Sequence, residues 1–131
     1  AFLNERRLRV SARHHLSEAL LATGIPFASH SKETMTKFQS TLEKVMPLVA
    51  GVRRFGAAAL DLAYVAAGRY EGYWENSLMP WDMAAGIVIV REAGGYLCDL
   101  KGEEDILGEK SILATNQALH QVLKDLLIHK N

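Results

Sequence analysis

The chain has 131 residues, 49% of them hydrophobic, and fifteen basic residues balance fifteen acidic ones. That length and apolar content suit one domain, residues 1–131, with its own core, and zero net charge gives no global field toward nucleic acid or an anionic membrane. No apolar run reaches the length of a membrane span, no secretory signal opens the chain, and Cys98 as the single cysteine excludes an internal disulfide and fits a reducing cytosol.

Ala1 to Val10 reads as two short extended runs around a polar turn, and an opening without an initiator Met predicts a fragment of a longer fold. Ala19 to Thr23 is a short apolar strand punctuated by Gly24 and Pro26. Ser31 is placed to cap the helix that follows, with Glu33 in its first turn and Met35, Phe38, Leu42, Val45, Met46 and Val49 at helical spacing. After Gly51 comes a strand over Val52–Phe55, and Gly56 turns the chain into a second helix, about Ala57–Ala67, whose many alanines allow close approach to a sheet. Gly68 and Gly72 bracket a turn into the aromatic strand Tyr73-Trp74-Glu75. Pro80 suits the first turn of a third helix, which Gly94 and Gly95 end. Tyr96–Asp99 and Ser111–Thr115 are strands around a polar loop, Lys101–Lys110, and Asn116 caps a last helix with an apolar face of Leu119, Val122, Leu123, Leu126 and Leu127. This alternation predicts a layered α/β domain, a sheet covered by helices.

The stretch from Glu75 to Gly95 holds the candidate chemistry. Asp82 stands at a helix start directly after a strand, where open α/β sheets bind ligands. From spacing alone, a first-turn carboxylate favoured by the helix dipole is the stronger reading. A magnesium ion needs several oxygen ligands, so Asp82 can form only part of a site.

Pro80-Trp81-Asp82, then Ala84-Ala85-Gly86, then Glu92-Ala93-Gly94-Gly95 closely resemble the C-terminal signature of the inositol monophosphatase family. Arg54 to Gly68 looks like that family's glycine-initiated substrate-site helix, and Ala1-Phe2-Leu3-Asn4 with Leu8-Arg9-Val10-Ser11 is similar to its mid-chain hairpin. The resemblance covers nearly the whole chain and is nearest to the bacterial branch. It implies the C-terminal half of an α/β sandwich shared with fructose bisphosphatases, and magnesium-dependent hydrolysis of a small-molecule phosphate monoester. It further implies Asp82 as a magnesium ligand, with Trp81 beside it packing rather than reacting. Glu75 is implied as acceptor for a substrate hydroxyl, and Gly56, Ala57 and Ala58 as the surface against the substrate ring. By the same resemblance the protein forms a homo-oligomer, and the other metal ligands lie in a first half that is not present in this sequence.

Two departures bear on substrate choice. Many relatives carry a hydroxyl residue where Ala57 stands, and animal enzymes have serine after the glycine matching Gly24, where Ile25 and Pro26 follow here. Related folds hydrolyse fructose bisphosphate or adenosine phosphosulfate nucleotides, and these are the alternatives within the enzyme class. Outside it stands a binding or assembly role using the Arg53-Arg54 pair or the apolar face of the last helix. The histidines, His14, His15, His30, His120 and His129, lack convincing ligand spacing and read as surface or packing residues.

Overall fold

A computed structural model describes residues 2–3, 6–24, 32–54, 56–76 and 78–128. Two short strands, β1 (Phe2–Leu3) and β2 (Arg6–Arg7), pair antiparallel, as the sequence predicts for the opening hairpin. The rest is built on one five-stranded sheet of β3 (Leu20–Thr23), β4 (Gly51–Arg53), β5 (Gly72–Glu75), β6 (Tyr96–Cys98) and β7 (Ile112–Thr115). Its strand order is β4-β3-β5-β7-β6. β3 runs parallel to both β4 and β5, whereas β7 runs antiparallel to β5 and β6.

Alternation along the strands divides the core in two. Ala22, Tyr73 and Ala114, side by side in the register, face one way and pack with Leu62, Val65, Met83, Ile87 and Val90. These come from α2 (Ala58–Ala66) and α3 (Pro80–Glu92). Leu21, Trp74 and Leu113 face the other way, against Val45 of α1 (Lys32–Val45) and Leu123 and Leu127 of α5 (His120–Leu127). The sheet is therefore covered by helices on both faces, the layered α/β arrangement predicted from the sequence.

Glu71 joins the starts of β3 and β5. Its buried carboxylate accepts the Leu20 amide at 2.7 Å, its own amide donates to the Leu20 carbonyl at 2.9 Å, and its carbonyl accepts the Asn116 amide at 3.0 Å. Asn116 does not cap α5 itself, whose N-cap is Leu119 without a side-chain cap bond; its side-chain oxygen instead accepts the Leu119 amide at 3.0 Å in the turn that leads into the helix.

Three details differ from the sequence expectation. Helix α1 stops at Val45, and Met46–Leu48 form a 3-10 turn with Met46 58% exposed. Pro47 is the cause, because it disfavours α geometry at the preceding residue and has no amide hydrogen to continue the helix. The polar loop contains a one-turn helix, α4 (Ile106–Glu109), whose Ile106 is buried in the first core. Of the apolar face foreseen for the last helix, Leu119, Leu123 and Leu127 are internal and not available as a docking surface, whereas Val122 is exposed and Leu126 half-buried. The Ser31 cap and Phe55 lie outside the described residues.

Helices α2 and α3 meet at Gly86. A Cβ there would collide with Leu62 Cδ1 and stand 2.8 Å from Leu62 Cβ, an atom too close to its own backbone to yield. Gly86→Ala is expected to lose roughly 1–2 kcal/mol in thermal unfolding, since overpacking outweighs the gain of about 1 kcal/mol in helix propensity. An unchanged or higher Tm would contradict this packing.

Candidate active site

The C-terminal ends of the parallel strands β3, β4 and β5 lie on one edge of the sheet, and the chain passes from β4 into α2 and from β5 into α3 there. Ligands of open α/β sheets bind at such an edge. Thr23 Oγ1 donates to the Trp74 carbonyl at 2.9 Å, tying the ends of β3 and β5 together.

Glu75, half-buried at the end of β5, accepts a hydrogen bond from the Tyr73 hydroxyl at 2.5 Å. Residues two apart on a strand share a face, so this pair was available in the sequence and was passed over. Beneath the carboxylate lies Gly24, where a Cβ would overlap the Glu75 carboxyl group. In the sequence Gly24 reads only as punctuation; in the structure its lack of a side chain makes room for Glu75. Burial and, more weakly, the charge of Asp82 raise the Glu75 pKa above the ordinary carboxylate value, while the Tyr73 hydrogen bond and Arg54 oppose the rise. Burial, and then the charge and hydrogen bond of Glu75, push the Tyr73 phenol upward, so it remains a donor.

Asp82 lies in the first turn of α3, with Pro80 opening the helix and the Asp82 amide donating to the Met79 carbonyl at 2.9 Å. Its side chain is exposed and close enough for its charge to act on both Glu75 and Tyr73. Gly56 and Ala57 are exposed and Ala58 is half-buried. Gly56 has φ +77 and nothing within 4 Å of a Cβ, so backbone conformation and not crowding demands glycine. Ala57 precedes α2 in an extended conformation without a side-chain cap. The site residues named from the sequence therefore lie toward one sheet edge: Glu75 ends β5, Asp82 is in the first turn of α3, and Gly56, Ala57 and Ala58 lie between β4 and the start of α2, two to four residues after Arg54, whose charge acts on Glu75.

Trp81 does not pack among the described residues and is 75% exposed. The buried residues of α3 are Met83, Gly86, Ile87 and Val90, and helical spacing places Trp81, with exposed Ala85 and Val88, on the opposite side. His120 is half-buried, with Nδ1 2.8 Å from Thr115 Oγ1 and its ring edge-on to Tyr96. His14 and His15 are exposed, and His30 and His129 lie outside the described residues.

Asp61 was also missed. It is fully buried on α2, and neither carboxylate oxygen has a hydrogen-bond partner among the described residues. Burial first and the charge of Glu75 second raise its pKa to about 7. The available signal was its place beside Leu62 and one turn before Val65, on the apolar stripe of α2.

The model of the inositol monophosphatase family matches residues 1–130. The chain is 53% identical over 129 residues to an inositol-1-monophosphatase of Caulobacter vibrioides, covering 96% of this chain and 50% of that protein. It is 46% identical over 123 residues to the Nus factor SuhB of Pseudomonas aeruginosa, covering 94% of this chain and 45% of that protein. The crystal structure of the extragenic suppressor protein suhB from Bartonella henselae superposes with a TM-score of 0.90 at 49% identity, covering 96% of this chain and 48% of that one. The fold is that of an inositol monophosphatase α/β layer. The chain belongs to the inositol monophosphatase family, and it spans about half the length of the relatives it matches.

Proposed function

We propose that this chain is the substrate-side half of a magnesium-dependent phosphatase that hydrolyses phosphate monoesters of inositol or a related polyol. The observation that carries this reading is the placement of Asp82 in the first turn of α3 and of Glu75, hydrogen-bonded by Tyr73, at the end of β5, where the same sheet edge leads into the small-residue run of Gly56, Ala57 and Ala58. Family membership and the relative named inositol-1-monophosphatase support the reaction class.

The residues fit part of a magnesium site. Asp82 is an exposed carboxylate whose charge acts on that of Glu75, and magnesium takes one or two carboxylates with water and phosphate oxygens. Among the described residues no group of three or more His, Cys, Asp or Glu is placed to hold a metal, so Asp82 is one ligand of several. Bound magnesium supplies Lewis-acid chemistry, activating water and stabilising a leaving oxygen. The chain's own work is positional. Asp82 holds the cation at the sheet edge, Glu75 accepts a substrate hydroxyl while Tyr73 fixes its carboxylate, and residues 56–58 leave room for the ring.

The test is phosphate release from inositol monophosphate by the longer protein, in which this segment is joined to the half that its relatives add. Glu75→Gln is expected to raise KM about 10-fold or more, the cost of losing a hydrogen bond to a charged acceptor. The 131-residue chain alone is expected to show no magnesium-dependent turnover. An unchanged KM in Glu75→Gln, or full activity from the isolated chain, counts against the reading.

The relative named Nus factor SuhB favours a second reading, a non-catalytic assembly role. In this chain the exposed Arg53 and Arg54 are the residues that support it. Partner binding that survives Asp82→Asn while phosphate release is lost would show both roles in one protein.

A further inference from the structure

Thr23 is the register partner of Trp74, and its hydroxyl donates to the Trp74 carbonyl at 2.9 Å. One residue further on, the same register sets Gly24 beside Glu75. The three atoms nearest to a Cβ built on Gly24 are the carboxyl carbon and both carboxyl oxygens of Glu75, all of them overlapped by it. Gly24 is not among the glycines with positive φ, so its backbone would accept an L side chain, and the space such a side chain would take is the space of the carboxylate.

The carboxylate cannot stay where it is once that space is filled. Glu75 Oε1 receives the Tyr73 hydroxyl, and Tyr73 is fully buried in the core shared with Leu62, Met83 and Ile87, so it cannot follow. Glu75 is half-buried at the end of β5, and its carboxyl group is the far end of a flexible side chain that another rotamer carries elsewhere. A side chain at position 24 therefore costs the seat of Glu75 before it costs the fold.

We propose that Gly24 is a positioning residue that determines specificity. By leaving the end of β3 bare, it lets the Glu75 carboxylate lie back against that strand in the grip of Tyr73, with Oε2 left to accept a hydroxyl of a polyol ring. A side chain at 24 turns the carboxylate out and weakens the choice of a polyol phosphate over a phosphate ester without hydroxyls. Gly24 touches no substrate and acts through Glu75. The choice of polyols rests on the phosphatase reading; the seat itself does not.

The longer protein allows two tests. In thermal unfolding, Gly24→Ala is expected to lower the Tm of the parent but to leave unchanged or raise that of Glu75→Ala, where the space is vacant and alanine restricts the unfolded chain. A Gly24→Ala protein that folds only together with Glu75→Ala is the same result in stronger form. Equal changes in the two backgrounds, or a double variant that does not fold, overturn the seat. In phosphate release, p-nitrophenyl phosphate serves as the ester with no ring hydroxyl to offer. Gly24→Ala is expected to lower the ratio of kcat/KM for inositol monophosphate to that for p-nitrophenyl phosphate about 10-fold, the worth of a hydrogen bond to a charged acceptor, and to lower it no further once Glu75→Ala is in place. A ratio that Gly24→Ala leaves unmoved, or moves equally in Glu75→Ala, overturns the role in specificity. A parent that releases phosphate from neither ester counts against the phosphatase reading instead, and the unfolding comparison still decides the seat.

Discussion

Asp82→Asn is expected to lower magnesium-dependent phosphate release by the longer protein at least about 100-fold, because residues that merely orient metal ligands already cost 10–100-fold when changed. The substitution keeps the shape and the place in the first turn of α3 but removes the charge that a magnesium ion requires of its ligand. The fold is expected to survive. Asp82 is exposed, and its amide bond to the Met79 carbonyl does not involve the side chain. Thermal unfolding therefore separates loss of catalysis from loss of structure. If activity persists with Asn at this position, Asp82 only decorates the helix start, as its spacing alone allows.

The second large effect is on stability against pH. With a folded pKa raised from 3.8 to about 7, Asp61 keeps its proton in the native state while the unfolded chain releases it. The native state then binds more protons, so stability falls as pH rises from the unfolded value to the folded one. Below that window both states are protonated and Asp61 contributes nothing; above it the full penalty stands. A rise of about three units corresponds to roughly 4 kcal/mol. Asp61→Asn carries no charge at any pH. The stability of this variant relative to the parent is expected to climb by about that amount between acid and mildly alkaline conditions, whatever constant cost the buried amide adds. Denaturant unfolding across the range checks it, and a difference that does not change with pH would place Asp61 among ordinary surface carboxylates.

The order of elements was legible because punctuation and residue type agree: Pro80 opens α3, Gly94 follows its end with φ +89, and strand-favouring aromatic residues mark β5. The reach of α1 was overdrawn because the apolar spacing continues through Met46 and Val49 while Pro47 forbids the helix. Helix α4 is a single turn, too short for any 3.6-residue period to show. Strand order and direction were not legible, since pairing such as β3 with β5 joins residues about fifty positions apart and leaves no local mark.

The site divides in the same way. Glu75 and Asp82 were visible through their matches to a known signature, and the structure brings them to one sheet edge. What that edge needs to support them was hidden in residues that look ordinary in one dimension. Gly24 resembles a turn glycine, yet it lies beneath a carboxylate. Asp61 resembles a surface acid in an alanine-rich helix, and only the packing of α2 buries it. Trp81, next to the proposed ligand, faces away from everything described.

Crystals of the longer protein grown with manganese in place of magnesium test the central claim most directly, because anomalous scattering locates the ion without reference to activity. An ion is expected within direct coordination distance of an Asp82 carboxylate oxygen, about 2.1 Å for magnesium itself, with Glu75 turned toward the substrate side. A bound ion that Asp82 does not touch, with substrate in place, would contradict it.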